Sequence, residues 1–199
     1  ENGTVPWKNT AISGWILDPD RKKMSKSKGN AQTPEDVVRE FGADAVRYWA
    51  ASGRLGTDAA YDTGQMKVGR RLAMKVLNAS KFALMTPPVT PDADAAPTIE
   101  ALLPHVTQPL DVSLLTALRD VVENATKSFE TWDYTRSLEL TETFFWAFCD
   151  DYIELVKERA NNRDGEFAEA ESASARAAVR IALDVLLRLF APFLPYATE

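Results

Sequence analysis

From residue 110 onward, apolar side chains recur at helical spacing. Leu114, Leu118, Val121 and Ala125 lie four, three and four residues apart. Tyr134, Leu138, Thr141, Phe145, Phe148, Tyr152 and Leu155 carry the same alternation through residues 133–159, and Ala175, Ala178, Ala182, Val185 and Leu189 repeat it in the last segment. Such spacing keeps each set on one face of a helix with a period of 3.6 residues. Three apolar stripes that must be buried against one another predict a helical bundle over 110–199. Asn161-Asn162-Arg163-Asp164-Gly165 reads as the loop between its last two helices.

Upstream the pattern is mixed. Thr10 to Leu17 is apolar and β-prone and runs into Asp18-Pro19-Asp20, which reads as a strand ending in a turn. Thr33-Pro34-Glu35-Asp36 is a helix start, with Thr as N-cap, Pro in the first turn and two acids at the positive end of the helix dipole. Val37, Val38 and Phe41 supply the buried side of that helix, and Gly42 interrupts it before a second helical stretch over Asp44 to Ala51. Thr63 to Met85 reads as a longer helix. Six of the eleven prolines fall between Pro87 and Pro109. Each removes an amide donor and biases its predecessor away from the helical region, so 87–109 reads as a linker with room for one short helix near Ile99 to Leu103. The expected fold class is mainly α, with a short strand and loop ahead of the bundle.

Composition narrows the chemistry. The 199 residues contain one Cys and one His, so neither an internal disulfide nor a His-based metal site is available. No apolar run is long enough for a membrane span, which fits a cytoplasmic protein. The formal charge of −6 is an average of two unlike halves. Residues 1–90 hold 14 Lys/Arg against 9 Asp/Glu, a net of +5, while 91–199 hold 9 against 20, a net of −11. The basic half is suited to a polyanion and the acidic half has to be kept clear of it.

Within the basic half, Arg21-Lys22-Lys23-Met24-Ser25-Lys26-Ser27-Lys28-Gly29-Asn30 has five cations in its first eight positions. Lysines are mobile point charges, serines add hydroxyl donors and Gly29 lets the backbone turn, a combination suited to a polyphosphate. On charge alone the segment reads as a solvated basic loop or a localisation signal. The order of residues distinguishes them.

Lys23-Met24-Ser25-Lys26-Ser27, after a strand and before a helix, matches the KMSKS signature of the class I aminoacyl-tRNA synthetases. The surrounding GWILDPDRKKMSKSKGN, TPEDVVREFGADAVRYWAASGRLGTDAAYD and KVLNASKFAL resemble the valyl-tRNA synthetases in particular. Arg47-Tyr48-Trp49-Ala50-Ala51-Ser52 and Gly56-Thr57-Asp58 set them apart from the isoleucyl and leucyl enzymes, which remain the alternatives together with a free-standing tRNA-binding helical module. Ala31-Gln32 departs from the family, which usually has two small β-branched residues there. The resemblance extends to Phe190-Ala191-Pro192-Phe193-Leu194-Pro195-Tyr196-Ala197-Thr198-Glu199, similar to the closing bundle helix.

The resemblance implies activation of valine by ATP, with Mg2+ in the intact enzyme, followed by transfer to tRNA(Val) by a monomeric protein. By motif position, Lys23, Met24, Ser25, Lys26 and Ser27 form the ATP loop, with Lys26 stabilising the leaving pyrophosphate and Lys23 as its partner. It also implies the division into a catalytic-domain end over 1–33, a stem-contact region over 34–86, the linker 87–109 and an anticodon-binding bundle over 110–199. Only residues 1–20 precede the loop, whereas a βαβ nucleotide-binding unit needs about thirty. The first residue is not Met, and the family's nucleotide-binding half, its His-Ile-Gly-His signature, its amino-acid pocket and its editing domain lie upstream. The chain is therefore expected to be a C-terminal piece that does not aminoacylate alone.

On the Thr63 to Met85 helix, Lys67, Arg70, Arg71, Lys75 and Lys81 fall within an arc of roughly 140°, beside an apolar flank of Val68, Leu72, Val76, Ala79 and Ala83. Taken alone this is a solvated face; with the resemblance it is the candidate tRNA contact. The bundle's Phe145, Phe148 and Tyr152 are expected in the core, while Trp132 and Trp146 lie off the stripe. Asp150, Asp151, Glu154 and Glu158 read as a solvated acidic face.

Overall fold

The structure, a computed structural model, describes residues 3–31, 33–89 and 97–199, and at Lys26 the backbone only. Pro91, within the predicted linker, lies outside the described residues.

The chain opens in extended conformation, and only Ile16–Leu17 (β1) forms a strand, paired in parallel with Ala59–Ala60 (β2). The expected strand from Thr10 is thus much shorter. Its upstream part is held by isolated bonds, from Gly56 N to the Ile12 carbonyl at 2.9 Å and from Trp15 N to the Asp58 carboxylate at 2.7 Å. Ladder pairing stops where Gly14 meets the partner backbone. A β-carbon there would lie 2.1 Å from the Thr57 carbonyl oxygen, so only glycine permits this crossing.

Two short helices follow, α1 (Pro34–Phe41) and α2 (Ala43–Ala51). Thr33 caps α1 as expected, accepting from Asp36 N at 3.4 Å, and Gly42 takes φ 90° at the break. The long α3 (Thr63–Met85) starts from an Asp62 cap and packs closely on α2. The reason is Gly69, whose missing side chain admits Tyr48: a β-carbon there would lie 2.6 Å from the Tyr48 β-carbon.

The predicted short helix is α4 (Ile99–Leu102). The described end of the linker is not free: Leu102 is buried against Ala177 and Ile181, and Thr107 N and Gln108 N both donate to Ser174 Oγ at 3.0 Å. The bundle proper is α5 (Pro109–Glu130), α6 (Tyr134–Ala147), α7 (Ile153–Asn161) and α8 (Glu169–Phe190), followed by a last turn, α9 (Pro195–Thr198). Helix α8 is its centre. Six of its residues are alanines, and Ala175, Ala177, Ala178 and Ala182 are fully buried, which lets neighbouring helices approach closely. The core is continuous from α3 into the bundle, with Leu72 and Val76 in one cluster with Leu118, Phe145, Phe148, Val156, Val179, Leu186 and Phe190.

One stripe residue is misplaced by the sequence pattern. Leu155 is 71% exposed, while Val156 is fully buried. The cause is a π-helical turn at Phe148–Tyr152, between α6 and α7. It inserts one residue into the helical repeat, so the buried set shifts by one position and continues as Tyr152, Ile153, Val156 and Ala160.

Where the linker meets the bundle, Asp111 is wholly buried. Its carboxylate accepts from Tyr152 Oη at 2.8 Å, Ser174 Oγ at 2.6 Å and both terminal nitrogens of Arg159 at 2.9 and 2.7 Å. Burial alone would raise its pKa, but the Arg159 fork and the two hydroxyls outweigh burial and hold it below the ordinary carboxylate value. This cluster ties α5, α7 and α8 together.

Candidate functional site

The loop singled out by its sequence leaves β1 at Leu17 and returns to bridge it at Lys23. Between them Asp18 N donates to the Lys22 carbonyl and Arg21 N to the Asp18 carbonyl, both at 2.9 Å, with Arg21 at φ 60°. The Asp18 side chain is only 7% exposed, in a region where nearly everything else is open. It accepts from Lys22 N at 2.7 Å and from Asn30 Nδ2 at 2.9 Å. Those two bonds, in that order, lower its pKa and keep it ionised.

Asn30 in turn accepts from Ser25 N at 2.9 Å and donates to the Lys23 carbonyl at 3.3 Å. The two ends of the loop are therefore joined. Lys26–Lys28 form a short 3-10 turn, and Gly29 at φ 67° closes the loop. Ser25 Oγ and Ser27 Oγ lie 3.2 Å apart and bond each other. Arg21, Lys22, Lys23 and Lys28 are exposed, and the Lys23 ammonium lies 5.6 Å from the centre of the Trp15 ring. The arrangement is a fixed frame with a cationic rim. Lys26 supplies only its backbone to this description, and its side chain lies outside the described residues.

The second candidate is the basic flank of α3. Lys67, Arg70, Arg71 and Lys75 line one open groove of about 440 Å3 together with Met74, Asn78 and Trp146. Four of the five predicted cations are thus brought together. Lys81 is exposed further along the helix and does not line the groove. Nor are the four equivalent: Lys75 Nζ lies 2.8 Å from Asp150 and 5.7 Å from the Trp146 ring centre, so its charge is already matched. The Asp150 bond raises its pKa. Arg70 donates to the Glu40 carbonyl at the end of α1, at 3.3 Å, and Lys67 and Arg71 face outward. Asp151, Glu154 and Glu158 are exposed as expected. Cys149 is buried, and burial pushes its thiol up to about 12, which makes it inert.

Two family models match the chain: tRNA synthetases class I (I, L, M and V) over residues 1–62, and the anticodon-binding domain of tRNA ligase over 111–199. The valine–tRNA ligase of Thermobifida fusca (strain YX) is 59% identical over all 199 residues, which are 21% of that protein. That of Salinispora arenicola (strain CNS-205) is 59% identical over 197 residues, covering 98% of this chain and 22% of the relative. The chain belongs to the class I tRNA synthetases. It spans about a fifth of the length of the curated relatives it matches.

Solved synthetases share the fold. Mycobacterium tuberculosis methionyl-tRNA synthetase in complex with methionyl-adenylate superposes with a TM-score of 0.67 at 21% identity, over 92% of this chain and 35% of that one. The LeuRS of Agrobacterium radiobacter K84, in a ternary complex with tRNA and LeuAMS, gives 0.62 at 21% identity, over 94% and 21%. The homologues are named valine–tRNA ligases, so neither the isoleucyl and leucyl alternatives nor a free-standing module is favoured.

In this synthetase chain the Arg47-Tyr48-Trp49 run, noted for its resemblance, proves to be a joint. Arg47 donates to the Pro192 and Phe193 carbonyls at 2.6 and 3.2 Å, beyond the end of α8. Tyr48 Oη donates to Glu142 at 2.8 Å, and the other Glu142 oxygen accepts from Trp146 Nε1 at 3.2 Å. Asp44 accepts from Ala197 N at 2.8 Å, and Tyr134 Oη and Thr135 Oγ1 donate to the Gly53 and Ala51 carbonyls at 2.9 Å. Helix α2 therefore connects the loop's neighbourhood to the bundle. Sequence reasoning missed this joint and the Asp18 and Asn30 pair, because their partners are remote in sequence or read only as turn residues. Trp146, left off the stripe, sits at the groove, whereas Trp132 is exposed at the α5 to α6 turn with φ 65°.

Proposed function

We propose that the chain is the part of a valine–tRNA ligase that presents the KMSKS loop to ATP and the α3 flank and bundle to tRNA(Val). The observation that carries this reading is Lys23-Met24-Ser25-Lys26-Ser27 on a tied loop at the end of β1, in a chain 59% identical throughout to named valine–tRNA ligases. In the first step the valine carboxylate attacks the α-phosphorus of ATP, the bond to the β-phosphate oxygen breaks, and pyrophosphate leaves. In the second, a hydroxyl of the terminal ribose of tRNA displaces AMP from the valyl-adenylate.

Lys26 contacts the ATP phosphates and offsets charge building on the leaving pyrophosphate, with Lys23 as its partner. Met24, Ser25 and Ser27 form the loop around them. A fixed cation facing a developing anion in a closed site lowers the transition state more than the ground state. Mg2+ accompanies ATP in this chemistry. Among the described residues no three His, Cys, Asp or Glu side chains gather that could hold a metal ion.

Lys67, Arg70 and Arg71 contact tRNA phosphates, Lys81 extends the track by about 21 Å from Lys67 along the helix, and Lys75 joins on releasing Asp150. Residues 1–33, 34–86, 87–109 and 110–199 act respectively as the end of the catalytic domain, the stem-contact region, the linker and the anticodon-binding bundle. The ligase works as a monomer in the cytoplasm; among the described residues no helix is long and apolar enough to cross a membrane. The chain alone does not aminoacylate. The test is a hybrid in which this chain replaces the matching fifth of the Thermobifida fusca valine–tRNA ligase. The hybrid is expected to charge tRNA(Val) with valine, and a folded hybrid without valine-dependent pyrophosphate exchange refutes the reading.

A further inference from the structure

Two of the groups that hold the KMSKS loop, Asp18 and Asn30, lie outside its five signature residues. Asp18, on one side, is buried and ionised, and its two carboxylate oxygens are divided between Lys22 N and Asn30 Nδ2. Asn30, on the other side, uses its whole amide: the oxygen takes Ser25 N, and the nitrogen serves both Asp18 and the Lys23 carbonyl. The Asn30 side chain thereby does what a neighbouring strand would do. It satisfies the carbonyl of Lys23 and the amide of Ser25, and brackets Met24 between them.

Beyond β1 the described backbone offers this stretch one bridge, Leu17 to Lys23, so a glycine-containing cationic loop would otherwise sample many shapes. Like charges at Arg21, Lys22, Lys23 and Lys28 repel one another and favour an open loop. The Asp18 carboxylate at the loop's base opposes this, as does Asp20, exposed at the rim 3.7 Å from the Lys22 ammonium.

We propose that Asn30, held by Asp18, is a positioning residue for adenylation: it fixes the backbone of Lys23 and Ser25 so that the loop lysines meet the leaving pyrophosphate in register. The proposal rests on the KMSKS reading above. It touches no reacting atom, and it acts only by raising the fraction of loops in the competent shape.

The experiment uses the hybrid ligase and valine-dependent ATP–pyrophosphate exchange. Asn30→Ala is expected to lower kcat about tenfold, as expected for several exchanged hydrogen bonds, with the KM for valine unchanged. Asn30→Asp puts two carboxylates together and is expected to lose at least as much, while the exchange Asp18→Asn with Asn30→Asp restores a donor facing an acceptor and recovers part of it. Because the clamp acts through the lysines, Asn30→Ala added to Lys26→Ala is expected to cost less than a further twofold. Full activity of Asn30→Ala overturns the proposal, and so does a loss that adds in full to that of Lys26→Ala. An active Lys26→Ala enzyme would instead refute the loop's part in adenylation, and this inference with it.

Discussion

The groove on α3 gives a quantitative expectation for tRNA binding. Lys67, Arg70 and Arg71 line it and are exposed, whereas Lys75 is already matched by Asp150 at 2.8 Å. Replacing the first three by Ala in the hybrid ligase removes three phosphate contacts and leaves the buried face of α3, Leu72, Val76 and Ala79, untouched. Each contact releases counterions worth about 0.9 in the slope of log K against log salt, so the slope should flatten by about 2.7. Between 50 and 200 mM salt, the advantage of the unaltered protein then shrinks about fortyfold. Fluorescence titration of labelled tRNA(Val) at four salt concentrations measures this. Arg119→Ala with Arg188→Ala is the control, because both are exposed on ion pairs outside the groove. Equal slopes for triple variant and parent, or an equal change in the control, would refute a phosphate-binding groove.

The bundle and the α2 to α3 contact give further tests. Asp111→Ala leaves the Arg159 side chain, only 14% exposed, without its anion and should cost about 3–5 kcal/mol in urea unfolding; under 1 kcal/mol contradicts the network described. Asp111 has a lowered folded pKa, so its contribution is complete above the unfolded value of about 3.9 and fades as pH falls through the folded one. The difference between parent and Asp111→Ala should therefore stay level from pH 7 to about 4.5 and shrink only in stronger acid, and a decline already at pH 6 would contradict it. Gly69→Ala should destabilise by about 1–3 kcal/mol, although the same change inside a helix is ordinarily favourable, because the new methyl meets Tyr48; a higher melting temperature would show that the helices part freely.

Much of this molecule is legible in local sequence. Thr33 and Pro34 begin α1, Gly42 breaks it, and α3 runs over Thr63–Met85 as its pattern predicts. These are short-range effects of capping and backbone freedom. The π-turn is different: nothing in Phe148-Cys149-Asp150-Asp151-Tyr152 announces an extra residue, and periodicity carried across it assigns Leu155 to the core in place of Val156. The site divides in the same way. Cations on one helix face can be counted on a wheel, but the match of Lys75 with Asp150 joins residues 75 positions apart. The same holds for Tyr48 and Glu142, 94 positions apart, and for the contact of Gly14 with Thr57. Pairings at that distance follow from tertiary packing, which a single sequence does not display.

The central claim is that the loop after β1 works on the pyrophosphate of ATP. Its most direct test is valine-dependent ATP–pyrophosphate exchange by the hybrid ligase carrying Lys26→Ala, set beside Lys28→Ala, which removes the same charge two positions later. The account predicts a loss of roughly a hundredfold to a thousandfold for Lys26→Ala, the scale of removing one preorganised donor, and a much smaller effect for Lys28→Ala. Normal exchange with Lys26→Ala, or equal losses from both variants, would contradict it.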